Sequence, residues 1–154
     1  GLISRLPRLI AVQSLNAPPL LEAFRAGAAR VGVMTYVNSK ISGINVPFSG
    51  DHALVAVRES GGLVAGVSDE AIFAMQRRLA FDEGLWVEPV SAAPLAALAE
   101  LLAQGHIRAG ERIVCILSGA GFKDTSLAEA EAQIVGQREP AAFDIEAIVE
   151  QVRN

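Results

Sequence analysis

Ile113, Val114, Cys115, Ile116 and Leu117 are five consecutive apolar residues, three of them β-branched, with Glu111 and Arg112 before them and glycines soon after. A run that is apolar on both faces suits the central strand of a parallel sheet covered by helices on each side. A strand half in water would alternate instead. The run ends in Ser118-Gly119-Ala120-Gly121, a hydroxyl followed by a turn without large side chains. Ligands of open α/β sheets sit just beyond the carboxyl ends of strands, so a small molecule is expected at Ser118. The alternative is a strand that ends in an ordinary glycine turn.

Arg8 to Gln13 reads as another strand, bounded by Pro7, and Leu63 to Val67 as a third. Asn16-Ala17-Pro18-Pro19 opens a helix, because proline suits a first turn; Leu20, Leu21 and Phe24 form its buried side and Gly27 its stop. Val31 to Val37 predicts a short strand, Asn38 to Gly50 a loop, and Asp51 to Ser60 a helix ended by Gly61-Gly62. Ser68 predicts an N-cap, with Asp69 and Glu70 at the positive end of the helix dipole. Ile72, Met75 and Leu79 come next at helical spacing as core residues, and Gly84 stops that helix. Leu85 to Glu88 reads as a short extended entry, with Trp86 packed. Ser91 reads as the cap of the next helix, which puts Pro94 in a first turn where its missing donor costs nothing.

Leu95, Leu98, Leu101 and Leu102, with alanines between them, make that helix apolar nearly all round. Such a helix is expected to be buried, or laid against the sheet on one side and another helix or subunit on the other, and Gly105 ends it. Weakly helical character is expected over 126–134, and a final amphipathic helix built on Ile145, Ile148, Val149 and Val152 behind Asp144. Strands alternating with helices predict a single α/β domain over residues 1–154, with a mostly parallel sheet and helices on both faces.

At 154 residues and 51% hydrophobic, the chain can bury a real core. It carries 13 Lys+Arg against 17 Asp+Glu, a net charge of -4. The basic residues are scattered, which argues against nucleic-acid or membrane partners. Cys115 is the only cysteine, which excludes an intrachain disulfide and fits a reducing cytoplasm. Pro94 and Glu100 interrupt the greasiest stretch, 90–103, which is too short to span a bilayer. His52 and His106 stand alone, one at a polar helix end and one in a turn, so no metal site is expected. Gly119-Ala120-Gly121 lacks the third glycine of a dinucleotide fingerprint, which weighs against a nucleotide-binding domain. The start at Gly1, inside ordinary domain sequence, suggests an internal beginning.

Four stretches carry a resemblance. Leu117-Ser118-Gly119-Ala120-Gly121-Phe122-Lys123-Asp124 resembles TGxGLKD, and Glu88-Pro89-Val90-Ser91-Ala92-Ala93 resembles EPxSAA. Arg58-Glu59-Ser60-Gly61-Gly62 with Val67-Ser68-Asp69-Glu70-Ala71-Ile72 is similar to ESxG and VSDEEI, and Leu6 to Gln13 is similar to the strand after a phosphate loop. Taken in chain order they resemble the motifs of threonine synthases, in the tryptophan-synthase-β (fold type II) family of pyridoxal-phosphate enzymes. The resemblance covers roughly residues 5 to 125 and implies the large α/β domain of that family.

It also implies cofactor-binding roles. Ser118 matches the hydroxyl that faces the pyridine nitrogen, Glu88 lines the pocket near the ring, and Gly119, with Gly121, lets the backbone pass close to it. An alcohol cannot hold a full proton on that nitrogen as a carboxylate could, which favours elimination or replacement at Cβ or Cγ over transamination. The Schiff-base lysine of the family lies earlier, in an SxKxR-like context absent here. Lys40 and Lys123 are the only lysines, and Lys123 reads as a salt-bridging residue, so no catalytic residue is assigned.

The resemblance thus implies the C-terminal portion of a larger cytoplasmic enzyme, inactive alone, whose partners are its N-terminal portion, an amino-acid substrate and a second copy in a homo-oligomer. O-phosphohomoserine is the candidate substrate. Yet in Asn38 to Pro47, where threonine synthases read close to ATAIRIGNP, Gly43 and Pro47 can be matched but with three residues between them instead of one, and the arginine and small-residue run are changed. A serine/threonine dehydratase and a non-catalytic dimerisation or regulatory module therefore stand beside it.

Overall fold

The computed structural model describes residues 6–125 and Glu129. The chain divides into two compact units, Gly1–Asp124 and Thr125–Asn154, and the sheet with its helices belongs to the first. Apart from Glu129, the helices expected over 126–134 and beyond 144 lie outside the described residues.

Strand β1 (Ile10–Ser14) leads into helix α1 (Pro19–Arg25), helix α2 (Asp51–Glu59) and strand β2 (Leu63–Val67). Helix α3 (Asp69–Glu83) and helix α4 (Pro89–Ala103) come after them. β1 and β2 pair in parallel, Ile10 opposite Leu63 through Ser14 opposite Val67. The pleat sends alternate side chains to opposite faces. Val64 packs with Leu20, Leu21, Leu54 and Val57 of α1 and α2, and Ala11 lies against them. Val67 joins Ile72, Leu79, Ala93, Ala97 and Leu101 of α3 and α4, with Ile10, Val12, Leu63 and Ala65 against that core. The parallel α/β architecture with helices on both faces is thus the one the alternation predicts.

Long-range groups fix the element ends. The Gln13 side chain reaches over from β1, and its Oε1 accepts from the amides of Leu20 and Leu21 at 2.9 and 3.0 Å. This replaces the cap that Pro18 cannot supply. Ser68 Oγ accepts from the Ala71 amide, and Gly84 closes α3 at φ 67°. Behind the next turn, buried Gln76 donates to the Val87 carbonyl at 2.7 Å.

Three local expectations are corrected. Residues 31–37 form no strand; Met34 instead donates to the Pro47 carbonyl, and the backbone around it is irregular. Helix α4 begins at Pro89 with Glu88 as its N-cap, earlier than Ser91 as a cap would place it. Pro94 therefore lies past the first turn and denies the Val90 carbonyl its intrahelical donor.

The largest correction concerns 113–117, which pairs with no strand among the described residues. Val114 is 83% exposed and Ile116 75%. An apolar run states that it is to be covered but not by what, and among the described residues no strand pairs with this segment.

Candidate functional site

The segment after Leu117 meets the N-terminus of α4. The Val87–Ala120 antiparallel bridge joins them. The Glu88 amide donates to the Gly119 carbonyl at 3.1 Å, and the Gly121 amide donates to the Trp86 carbonyl at 3.0 Å. Ser91, displaced from the cap position, turns its hydroxyl to this corner and accepts from the Gly119 amide at 2.9 Å. The Ser91 and Ser118 hydroxyl oxygens are 3.2 Å apart, and either can donate. Ser91 is 1% exposed, whereas Ser118 faces solvent.

Both glycines permit close approaches. A Cβ on Gly119 would overlap the Glu88 carboxylate, and one on Gly121 would overlap the Trp86 indole. Glu88 is mostly buried, and its Oε1 lies 4.0 Å from Lys123 Nζ. The lysine is exposed, so that ion pair contributes little to stability. Ser118, Glu88 and Gly119 therefore form one corner. Burial pushes the Cys115 thiol up from its ordinary pKa, away from thiolate chemistry. Among the described residues no His, Cys, Asp or Glu cluster could hold a metal ion, and no helix is long and apolar enough to cross a membrane.

Two residues take parts that sequence reasoning does not give them. Trp86 walls the corner through its contact with Gly121, and Ser91 anchors it. The one signal in the sequence is the place of Ser91 within the 88–93 motif.

A second polar cluster lies where α3 begins. Asp69 is 1% exposed. Its Oδ1 accepts from the Ser14 hydroxyl at 2.5 Å and the Ser39 hydroxyl at 3.0 Å, and its Oδ2 from the Lys40 amide at 2.6 Å. Burial alone would raise its pKa. The hydrogen bonds from Ser14, the Lys40 amide, Ser39 and Asn16 outweigh burial and hold the carboxyl below its ordinary value.

A parallel sheet with helices on both faces and a hydroxyl-and-glycine corner at the N-terminus of α4 belongs to the α/β class, whose folds commonly hold small molecules. Residues 2–119 match the model of the pyridoxal-phosphate dependent enzyme family, and the chain belongs to that family. Pyridoxal phosphate is the cofactor that membership implies.

Within the family the chain is similar to threonine synthases. It is 40% identical over 132 residues to that of Methanocaldococcus jannaschii, covering 83% of this chain and 32% of the relative. It is 33% identical over 152 residues to that of Mycobacterium leprae, covering 99% of this chain and 40% of the relative. The chain thus spans well under half the length of these relatives. In fold it is similar to an L-serine ammonia-lyase from Rhizomucor miehei, with a TM-score of 0.67 at 20% identity over 82% of this chain and 40% of that one. Maize serine racemase is similar with a TM-score of 0.64 at 23% identity, over 82% of this chain and 40% of that one.

Proposed function

We propose that these residues correspond to the C-terminal portion of a cytoplasmic, homo-oligomeric threonine synthase-like lyase acting on an amino acid, with O-phosphohomoserine the candidate substrate. The observation that carries this reading is the exposed Ser118 hydroxyl, 3.2 Å from Ser91 Oγ, which the Gly119 amide holds at the N-terminus of α4. When Ser91 donates to Ser118, the Ser118 proton is free to point outward to a ring nitrogen. The residues present therefore fit the pyridine side of the cofactor. Ser118 would meet its nitrogen, Glu88 would stand beside the ring, and Gly119 would keep the approach open. When bound, the cofactor supplies an electron sink for bond cleavage at the substrate. A neutral partner at the nitrogen moderates that sink in favour of elimination or replacement.

Lys123 Nζ lies 4.0 Å from Glu88 Oε1, and Lys40 lies in the 38–45 loop. In this reading the lysine that binds the cofactor comes from the portion of the enzyme outside these residues. The dehydratase alternative is favoured by one observation, the changed 38–47 segment, which in the resembled family faces the substrate.

The test compares the 154-residue chain with the enzyme expressed from its full reading frame. The full enzyme is expected to show the visible absorbance of lysine-bound cofactor and to release phosphate from O-phosphohomoserine, and the short chain to do neither. Formation of 2-oxo acid from serine or threonine, without phosphate release, would transfer the assignment to the dehydratase. Covalent cofactor on Lys40 or Lys123 of the short chain would overturn the reading.

A further inference from the structure

The substrate-side loop, 38–45, is held by a carboxylate outside the Ser118 corner. Asp69 occupies the first position of α3, where an acidic side chain ordinarily stays in water and favours the helix dipole. Here it is buried, and it accepts hydrogen bonds from beyond α3: one from Ser14 at the end of β1 and two from Ser39 and Lys40 in the loop. Burying a carboxylate is costly unless its acceptor sites are filled, so the arrangement persists only while strand end and loop keep these positions.

The donors are themselves fastened to the loop's turns. Ser14 Oγ accepts from the Asn16 amide at 3.0 Å, and Ser39 Oγ from the Ile41 amide at 3.2 Å. The Asn38 amide donates to the Asn16 carbonyl at 3.1 Å, and the Ser39 amide to Asn45 Oδ1 at 3.0 Å. Ile41 is then driven into the α3–α4 core, 1% exposed. A Cβ on Gly43 would stand 3.0 Å from Val90 Cγ1, so the loop lies against the first turn of α4. Val90 directly precedes Ser91 and lies two residues after Glu88, the residues that shape the Ser118 corner.

We propose that Asp69 is a positioning residue: through the Ser39 hydroxyl and the Lys40 amide it sets the 38–45 loop against α4 beside the Ser118 corner, and so governs how the amino-acid substrate is held. The inference rests on the reading of this loop as the substrate side, and goes beyond it by assigning its conformation to one carboxylate.

The experiment uses the full-length enzyme with Asp69→Ala, Asp69→Asn and Ser39→Ala. KM and kcat are measured for O-phosphohomoserine, L-serine and L-threonine, cofactor affinity by titration, and amide exchange residue by residue. Asp69→Ala is expected to raise KM about tenfold or more, in line with the loss of a charge-assisted hydrogen bond, and to leave cofactor affinity within about twofold. The Lys40 amide should exchange at least about tenfold faster, while the β1–β2 ladder amides keep their rates. Asp69→Asn retains an acceptor for the Lys40 amide and should recover part of the KM. Ser39→Ala removes one donor and should shift KM in the same direction, which decides the matter if Asp69→Ala does not fold.

Faster exchange spread equally over ladder and loop, or KM and cofactor affinity weakening together, would reduce Asp69 to a general stabiliser and overturn the proposal. A wild-type enzyme inert to all three amino acids would instead sink the substrate reading. The contrast between loop and ladder exchange would still decide whether Asp69 sets the loop.

Discussion

Replacing Ser91 by alanine probes the Ser118 corner without touching the residue proposed to meet the cofactor. The Ser91 hydroxyl accepts from the Gly119 amide at 2.9 Å and lies 3.2 Å from Ser118 Oγ; its 3.4 Å approach to the Gly119 carbonyl is too long to count for much. Alanine leaves the half-buried Gly119 amide without its partner, which costs about 1–3 kcal/mol, and removes a hydroxyl contact that contributes about 1 kcal/mol. The backbone bonds from Glu88 to Gly119 and from Gly121 to Trp86 remain. The corner therefore loosens and does not detach.

A loss of about 2–4 kcal/mol, carried in full into cofactor binding, corresponds to roughly a thirtyfold to several-hundredfold weaker affinity. Titration of cofactor into the full-length apoenzyme measures it. Because Ser91 acts through the corner that holds Ser118, the Ser91→Ala/Ser118→Ala pair should fall well short of additivity. An unchanged affinity in Ser91→Ala, or strict additivity in the pair, would refute this coupling and leave Ser91 as a helix-packing residue only.

Gln13→Ala should cost about 2 kcal/mol in urea unfolding, about 1 kcal/mol for each orphaned amide of α1, and Gln13→Glu, which keeps the acceptor, should recover most of it. Gly62→Ala is expected to destabilise by about 2–3 kcal/mol, because its Cβ would overlap the Leu9 carbonyl oxygen, a backbone atom at the start of the β1–β2 ladder; a shift in the urea midpoint checks it. The Asp69 carboxyl is held below its ordinary value of 3.8 in the folded chain. Its contribution is therefore complete above that value and is lost as pH falls through it toward the folded pKa. Stability measured from about pH 6 downward should show this loss in the wild type, and Asp69→Asn should flatten that limb.

The elements legible in the sequence are those whose signals are local. Leu63 to Val67 is a short apolar run between glycines and a capping serine, and it forms β2 as written. Ser68 and Gly84 bound α3 because a hydroxyl and a left-handed glycine act within one turn. The start of α4 is ambiguous in sequence because Pro89 and Ser91 both satisfy a first turn. The choice between them depends on the contact of Ser91 with Gly119, 28 residues away.

Asp69 illustrates the same limit. Its partners Ser14 and Ser39 lie 55 and 30 residues distant, so nothing in its neighbourhood separates a dipole residue from a buried anchor. Of the candidate site, Ser118, Glu88 and Gly119 are legible through motif likeness, and the structure brings them into one corner. Their roles toward the cofactor are what the titrations test. Trp86 is not legible as a wall of the site, because only the bare α-carbon of Gly121, far along the chain, reveals what its ring touches.

The uncovered segment 113–117 has a practical side. An apolar segment that turns Val114 and Ile116 toward water is a surface on which copies of the chain can associate and precipitate. Handled as a fragment, the chain should scatter light increasingly with concentration, and Val114→Lys should keep it in solution.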